Sequence, residues 1–238
     1  MESIFDLSVF LGATFAAALV AGVAGFAFAL IAAAVWLHIL PPLQVATLII
    51  AFGLVVQGFA VWQLRHALDW HRLWPFLAGA AVGVPLGVAI LGWAAPAHVR
   101  IGVAVVLVLY GIYALARPAM KPIKAGGAPA DAAVGFLNGV LGGMTGLAGI
   151  LITIWCVIRG WPKDQQRTVF QPVAVAIFAM SAFWLGVNGT IATDTIRLMA
   201  LGLPVLLAGT WLGLKLYGRL DEVGFRKRSF WSCCWCPA

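Results

Sequence analysis

The sequence predicts an all-α polytopic membrane protein built as two related halves of about four helices each. The first helix of each half is expected to break at a glycine-rich motif, and the last helix of the second half to be cut short. Three observations carry this. Of 238 residues, 63% are hydrophobic and 10% charged, against about 25% charged in an ordinary soluble domain. The apolar residues gather in runs long enough to cross the hydrocarbon core, which takes about 20 residues. The second half also repeats the first. Shifted by 121 positions, Gly22, Gly25, Ala27, Leu30, Pro41, Gln44 and Thr47 fall on Gly143, Gly146, Ala148, Leu151, Pro162, Gln165 and Thr168.

Composition also excludes function classes. A mean hydropathy of +1.02 leaves no room for a soluble domain or a disordered tail. The net charge of +7 comes from cations scattered over short loops. They form no basic groove, so nucleic acid is not an expected partner, and they suit loops held at anionic lipid surfaces. Residues 1–6 are net negative and the first cation is Arg65, so a cleaved secretory signal is not expected.

The elements follow in order. Residues 7–40 carry no Asp, Glu, Lys or Arg, and as one helix they would reach about 50 Å, too long for one upright span. The run is expected to break, re-enter or tilt at Gly22-Val23-Ala24-Gly25, and to end at Pro41-Pro42, which cannot continue the hydrogen-bond ladder. A second span covers 43–64 and holds Gln57. Loop 65–72 has the Arg, His and Trp composition of a membrane interface. A third span, 73–92, opens at Pro75 and carries the small-residue stripe Gly79, Gly83, Gly87. A fourth covers 99–116.

A hydrophilic linker, 119–130, separates the first membrane repeat, 1–118, from the second, 131–238. There the apolar run 131–158 is broken at Gly142-Gly143-Met144-Thr145-Gly146 and ended by Pro162. Spans at about 168–188 and 195–217 follow. With a gap, Leu77-Ala78-Gly79 and Gly83 match Leu207-Ala208-Gly209 and Gly213. The repeat calls for an eighth span after Arg226-Lys227, but the eleven residues that follow are too few to cross as a helix. Counting each broken segment as one crossing gives seven spans. An outside N-terminus then puts nine cations inside and six outside, a narrow margin for the positive-inside rule.

Chemistry-bearing residues are sparse in the apolar runs. Every Asp and Glu lies in a loop or near a span end, so a proton relay has no buried carboxylate to run on. The four His also sit at span ends. No H-E-x-x-H or G-x-S-x-G motif occurs, and no enzyme is expected. Cys156 reads as a small packing residue. The C-C-x-C cluster at Cys233, Cys234 and Cys236 lacks nearby partners, so neither a metal nor a cofactor is expected.

What remains mid-membrane is glycine and uncharged polar groups. Glycine breaks in an apolar helix expose backbone N–H groups, and at a half-helix N-terminus these converge on an anion. Two breaks in corresponding positions of two halves point to a substrate site. The candidate substrate-binding residues are Gly22, Gly25, Gln57, Gly142, Gly143, Thr145, Gly146 and Gln171. The competing reading is that the glycines only let helices approach closely. Arg65, Arg159, Lys163 and Arg167 are candidates for a cationic vestibule that raises local anion concentration, or else for a basic loop surface on lipid.

With those residues in view, the chain resembles the sulfite exporter TauE/SafE family of membrane permeases. The likeness rests on the segments GVAGFAFALIAAAVWLHILPP and GFLNGVLGGMTGLAGILITIWCVIRGWP, each a glycine-rich break with a proline-ended loop. It rests also on the W-x-x-L from Trp70 to Leu73 and on the glycine stripe before the RIGVAVVLVLYGIYAL helix. It covers about residues 5–228. The resemblance implies about eight spans as two four-helix halves, exporting sulfite, sulfonates and related small anions. The chain departs from the family pattern at Phe26-Ala27-Phe28, where members often carry a glycine run, and at the missing last span. The implied reading is a multi-pass inner-membrane permease whose partners are a small anionic substrate and the bilayer, with homo-oligomerisation left open. The alternatives are a non-transporting scaffold or assembly subunit, which needs only packing glycines, and a channel or permease for another small metabolite.

Overall fold

The computed structural model describes residues 4–24, 27–116, 127–189 and 192–233, with the side chains after Leu216 outside that description. The described residues are almost wholly α-helical. In chain order they form α1 (Ile4–Ala24), α2 (Phe28–Ile39), α3 (Pro42–Leu64), α4 (Trp70–Trp93), α5 (Pro96–Ala116), α6 (Gly127–Thr145), α7 (Ile150–Ile158), α8 (Lys163–Val187) and α9 (Thr193–Cys233). Six of them, α1, α3, α4, α5, α8 and α9, are long and apolar enough to cross a membrane. Helix α6 has 19 residues but carries Asp131 and Asn138, and buries both.

The expected breaks are present, but displaced. Helix α1 continues through Gly22 to Ala24, and α6 through Gly142 and Gly143 to Thr145. The second break is the segment Gly146 to Gly149, opened by a φ of +78° at Gly146 that only glycine adopts without strain. The prolines act at the far ends of the short helices. Pro42 stands in the first turn of α3 and Pro162 caps α8, where a missing N–H costs nothing.

At each break the chain reverses. Trp36, near the end of α2, packs on Phe10, near the start of α1, with ring centroids 5.0 Å apart. Trp155 and Arg159 of α7 likewise reach back to Asp131 at the start of α6. Each broken segment is therefore a hairpin, a helix of about 30 Å followed by a half-helix of about 14–18 Å that returns along it. This corrects the count of one crossing per segment. It also overturns the charge tally built on that count.

Glycine seams fix the other directions. On α4, Cβ atoms at Gly79, Gly83 and Gly87 would overlap the carbonyls of Ala132, Phe136 and Val140 on α6. Going the other way, Gly135, Gly139 and Gly143 meet the α4 backbone at Phe76, Ala80 and Val84. Both series ascend together, so α4 and α6 run parallel. Helices α1 and α9 are also parallel, since Gly202, Gly209 and Gly213 meet Phe10, Ala18 and Leu19 in turn.

We call the end holding the α3–α4 loop the upper end, as a label only. Arg72, in the first turn of α4 beside that loop, donates to Gln165 at the start of α8, 3.2 Å away. Helices α3, α5, α7 and α9 then climb toward the upper end with α1, while α2, α4, α6 and α8 descend. Trp62, Trp70, Trp74 and Trp211 are exposed toward the upper end, and Trp93 and Trp184 toward the lower. Trp74 and Trp93 lie about 28 Å apart along α4, close to the hydrocarbon thickness that interfacial tryptophans bracket.

Two boundaries differ from expectation. Helix α6 begins at Gly127, inside the expected linker 119–130, because Pro129 is tolerated in a first turn. Helix α9 runs without a turn through Arg226-Lys227 to Cys233, so no separate eighth element begins there.

Candidate functional site

The described flanks of the two hairpin turns face each other. Between them lies a cavity of about 40 Å³. Its wall is Ala21 of α1, the first turn of α2 (Phe28, Ala29, Leu30), the second break (Leu147, Ala148, Gly149) and Ile150 of α7. Gly53, Val56 and Gln57 of α3 and Ala174 and Phe178 of α8 complete it. At roughly 10–15 Å³ per water, it holds the bulk of about three waters, or of a four-heavy-atom anion.

The electrostatics follow from the half-helices. The first backbone bonds after the two turns are Ile31 N–H to the Ala27 carbonyl and Thr153 N–H to the Gly149 carbonyl. The amides of the first turns precede these bonds, and neither helix has a side-chain N-cap. Both positive helix ends therefore face one small space. The lining contains no charged side chain, and Gln57 supplies its one side-chain amide.

The sequence candidates divide. Gln57 lines the cavity. Gly22 and Gly143 do not: a Cβ on Gly22 would stand 2.8 Å from the Thr210 carbonyl, and one on Gly143 2.8 Å from that of Val84. These two serve helix packing. Gly142 is pressed against Ile177 and Ala148, and Gly146 against Ile49. Thr145 is occupied at the turn, its hydroxyl donating to the Leu141 carbonyl at 2.7 Å and accepting from Leu147 N–H at 3.1 Å. Gly25 lies outside the described residues.

Gln171 is 4% exposed, and its side-chain oxygen has no hydrogen-bond partner. It shares a face of α8 with Ala174 and Phe178 by helical spacing, one turn above the cavity. Ser181 continues that face one turn below, fully buried and also without a partner for its hydroxyl.

The vestibule candidates divide as well. Arg159 is paired with Asp131 at 3.6 Å, and the two side chains are only 15% and 12% exposed. Asp131 also accepts from Trp155 Nε1 at 2.7 Å, and the Arg159 guanidinium lies over Trp155 and Trp161. This cation ties α7 to α6 rather than standing free. Arg65 lies over the exposed Trp62 ring at 4.9 Å, as an interfacial anchor. It is at the same end as Arg159, whereas the one-crossing count put them on opposite sides. Arg167, half-buried on α8, is also at the upper end. The Lys163 side chain is outside the described residues.

Gly149 and Asn138 stand out in the sequence as uncharged mid-membrane groups beside the second break, but are not among its substrate-binding candidates. A Cβ on Gly149 would meet open space, and Asn138 holds the turn by donating to the Ala148 carbonyl at 2.5 Å. Among the described residues no cluster of His, Cys, Asp and Glu is placed to hold a metal. Cys234 and Cys236 lie outside them.

Crossing-length apolar helices, two opposed hairpins with non-helical backbone deep in the bundle, and a small cavity between them define a polytopic membrane permease. In a comparison with protein families, residues 10–232 match the family described as Sulfite exporter TauE/SafE. The chain belongs to that family, whose members are transporters. No curated protein and no solved structure matches it.

Proposed function

We propose that this permease exports sulfite or a similarly small sulfur oxyanion across the inner cell membrane, and binds it in the cavity between the hairpin turns. The observation that carries the proposal is the convergence of the α2 and α7 N-termini, with Gln57, on one space of about 40 Å³. Two positive helix ends favour an anion, and the volume favours one of few heavy atoms. Gln171 and Ser181 mark the route along α8, above and below the cavity. Sulfite itself comes from the family description.

The two halves, 1–118 and 131–238, act as inverted repeats that rock about the site. Three features support this. The α1–α2 and α6–α7 hairpins enter from opposite ends. The α1–α9 and α4–α6 seams both run parallel. Helices α3 and α8 run in opposite directions beside the cavity. Orientation follows from charge. Among the Lys and Arg of the described residues, all but Arg100 and Arg197 fall, by their place along the helices, at or beyond the upper end. The positive-inside rule makes that end cytoplasmic and the N-terminus external. An inside-negative potential then drives a monovalent anion outward by about 2.3 kcal/mol per 100 mV, roughly a fiftyfold gradient, with no buried carboxylate needed for coupling.

The test is Gly149→Leu in proteoliposomes with an imposed potential, assayed with sulfite, sulfate and chloride. Gly149 lines the cavity, and a Cβ added there meets no atom within 4 Å. We expect normal insertion and Tm with sulfite export lost. Full-rate export would refute the site.

A further inference from the structure

A second cavity lies outside the hairpin turns, in the seam between α2 and α5, with a volume of about 570 Å³. It is polarised along its length. At one end stand Arg100 and His38, and Arg100 donates to the Leu40 carbonyl at 3.4 Å, where α2 ends. Away from them the walls are purely apolar: Ala33, Ala34 and Leu37 on α2 face Ala104, Leu107 and Val108 on α5.

Depth matches polarity. Arg100 lies in the second turn of α5, a few residues past Trp93, which is 91% exposed and sits at the lower interface. From Arg100 to Val108 the slot runs about 12 Å up α5 into the hydrocarbon. Helix α5 itself is loosely held. Only 11% of its crossing segment is buried, and Ile101, Val105, Val108, Leu109 and Ile112 are all at least half exposed. A cation at headgroup level over an apolar slot is complementary to an amphiphile with a phosphate at one end.

We propose that this seam binds a glycerophospholipid, its phosphate on Arg100 beside His38 and one acyl chain between α2 and α5. Arginine suits a phosphate because its planar fork can make two parallel hydrogen bonds. The bound lipid braces α2, the half-helix whose first turn lines the central cavity, against a helix that otherwise holds it weakly.

The full chain, purified and delipidated in mild detergent, is titrated with phosphatidylglycerol, with inorganic phosphate and with diacylglycerol. Native mass spectrometry and Tm are the readouts. A one-to-one phosphatidylglycerol adduct with a raised Tm is expected, and neither phosphate nor diacylglycerol should reproduce it. Arg100→Gln should weaken the adduct about tenfold, the loss of a charge-assisted bond. Because that change also removes a tie to Leu40, Ala104→Phe is the second variant: it fills the slot with Arg100 intact and should abolish the adduct. Retention of the adduct at wild-type affinity in both variants would overturn the proposal. So would equal stabilisation by inorganic phosphate, which would mean a free-anion site, or a lipid-free dimer that buries α5.

Discussion

Replacing Asp131 tests whether the second hairpin is held by its ion pair. Asp131 and Arg159 are 3.6 Å apart, and only 12% and 15% of their side chains are exposed. At an effective dielectric of about 20, that separation is worth about 4–5 kcal/mol of Coulomb attraction. Desolvation cancels much of it, so the net worth of the pair is small. Breaking it is costly all the same, because the surviving charge stays buried, about 3–5 kcal/mol in well-buried cases. Asp131→Asn keeps an oxygen for the Trp155 Nε1 hydrogen bond of 2.7 Å. It takes the carboxylate charge from beside Arg159, whose guanidinium still lies over two tryptophan rings. We therefore expect Asp131→Asn to cost about 1–3 kcal/mol and Arg159→Met, which strands a carboxylate, about 3–5 kcal/mol. The double variant should cost less than the sum, with a coupling of about 1–3 kcal/mol. Equilibrium unfolding of the purified chain in detergent gives all three values. Additive losses, or an Asp131→Asn cost under about 0.5 kcal/mol, would refute the claim that this pair closes α7 onto α6.

Four further outcomes follow from the same structure. Gly83→Ala should lower Tm sharply, by about 2 kcal/mol or more in stability, since its Cβ would overlap the Phe136 carbonyl. Gly102→Ala, with no atom within 4 Å of the added Cβ, should be neutral or stabilise by up to about 1 kcal/mol. Ser181→Ala removes a buried hydroxyl that has no partner, so stability should hold or rise while sulfite export falls; unchanged export would take Ser181 off the route. Single cysteines at Arg65 and Arg197 in a Cys-free background should react with an impermeant thiol reagent from opposite sides of intact cells, the Arg197 position from outside. Labelling of both from one side would break the deduced topology.

Much of this protein is local in origin and was legible in the chain. Apolar runs of crossing length specify helices in a bilayer because no other backbone satisfies its hydrogen bonds there. Pro42 and Pro162 set helix starts through their own geometry. The stripe Gly79, Gly83, Gly87 announced a close seam, and a glycine near each break announced a turn. Gln57, which lines the cavity, was legible because a polar side chain in an apolar run stands out. The partners, however, were not legible. Gly22 and Gly143 read as site residues, yet each faces a helix far along the chain, α9 for one and α4 for the other. Arg159 read as a free cation until Asp131, 28 positions earlier, came to lie beside it.

The sequence by itself determined the solvent, the helices and the places where they stop, since hydrophobicity, proline and glycine act within a few residues. Only the tertiary structure decided that α2 and α7 turn back, which glycines pack and which one opens on a cavity, and that Arg65 and Arg159 share an end. The physical reason is that a turn such as Gly146 permits a reversal without dictating its direction. Direction is chosen by contacts such as Phe10–Trp36 and Asp131–Trp155, which join residues more than twenty positions apart.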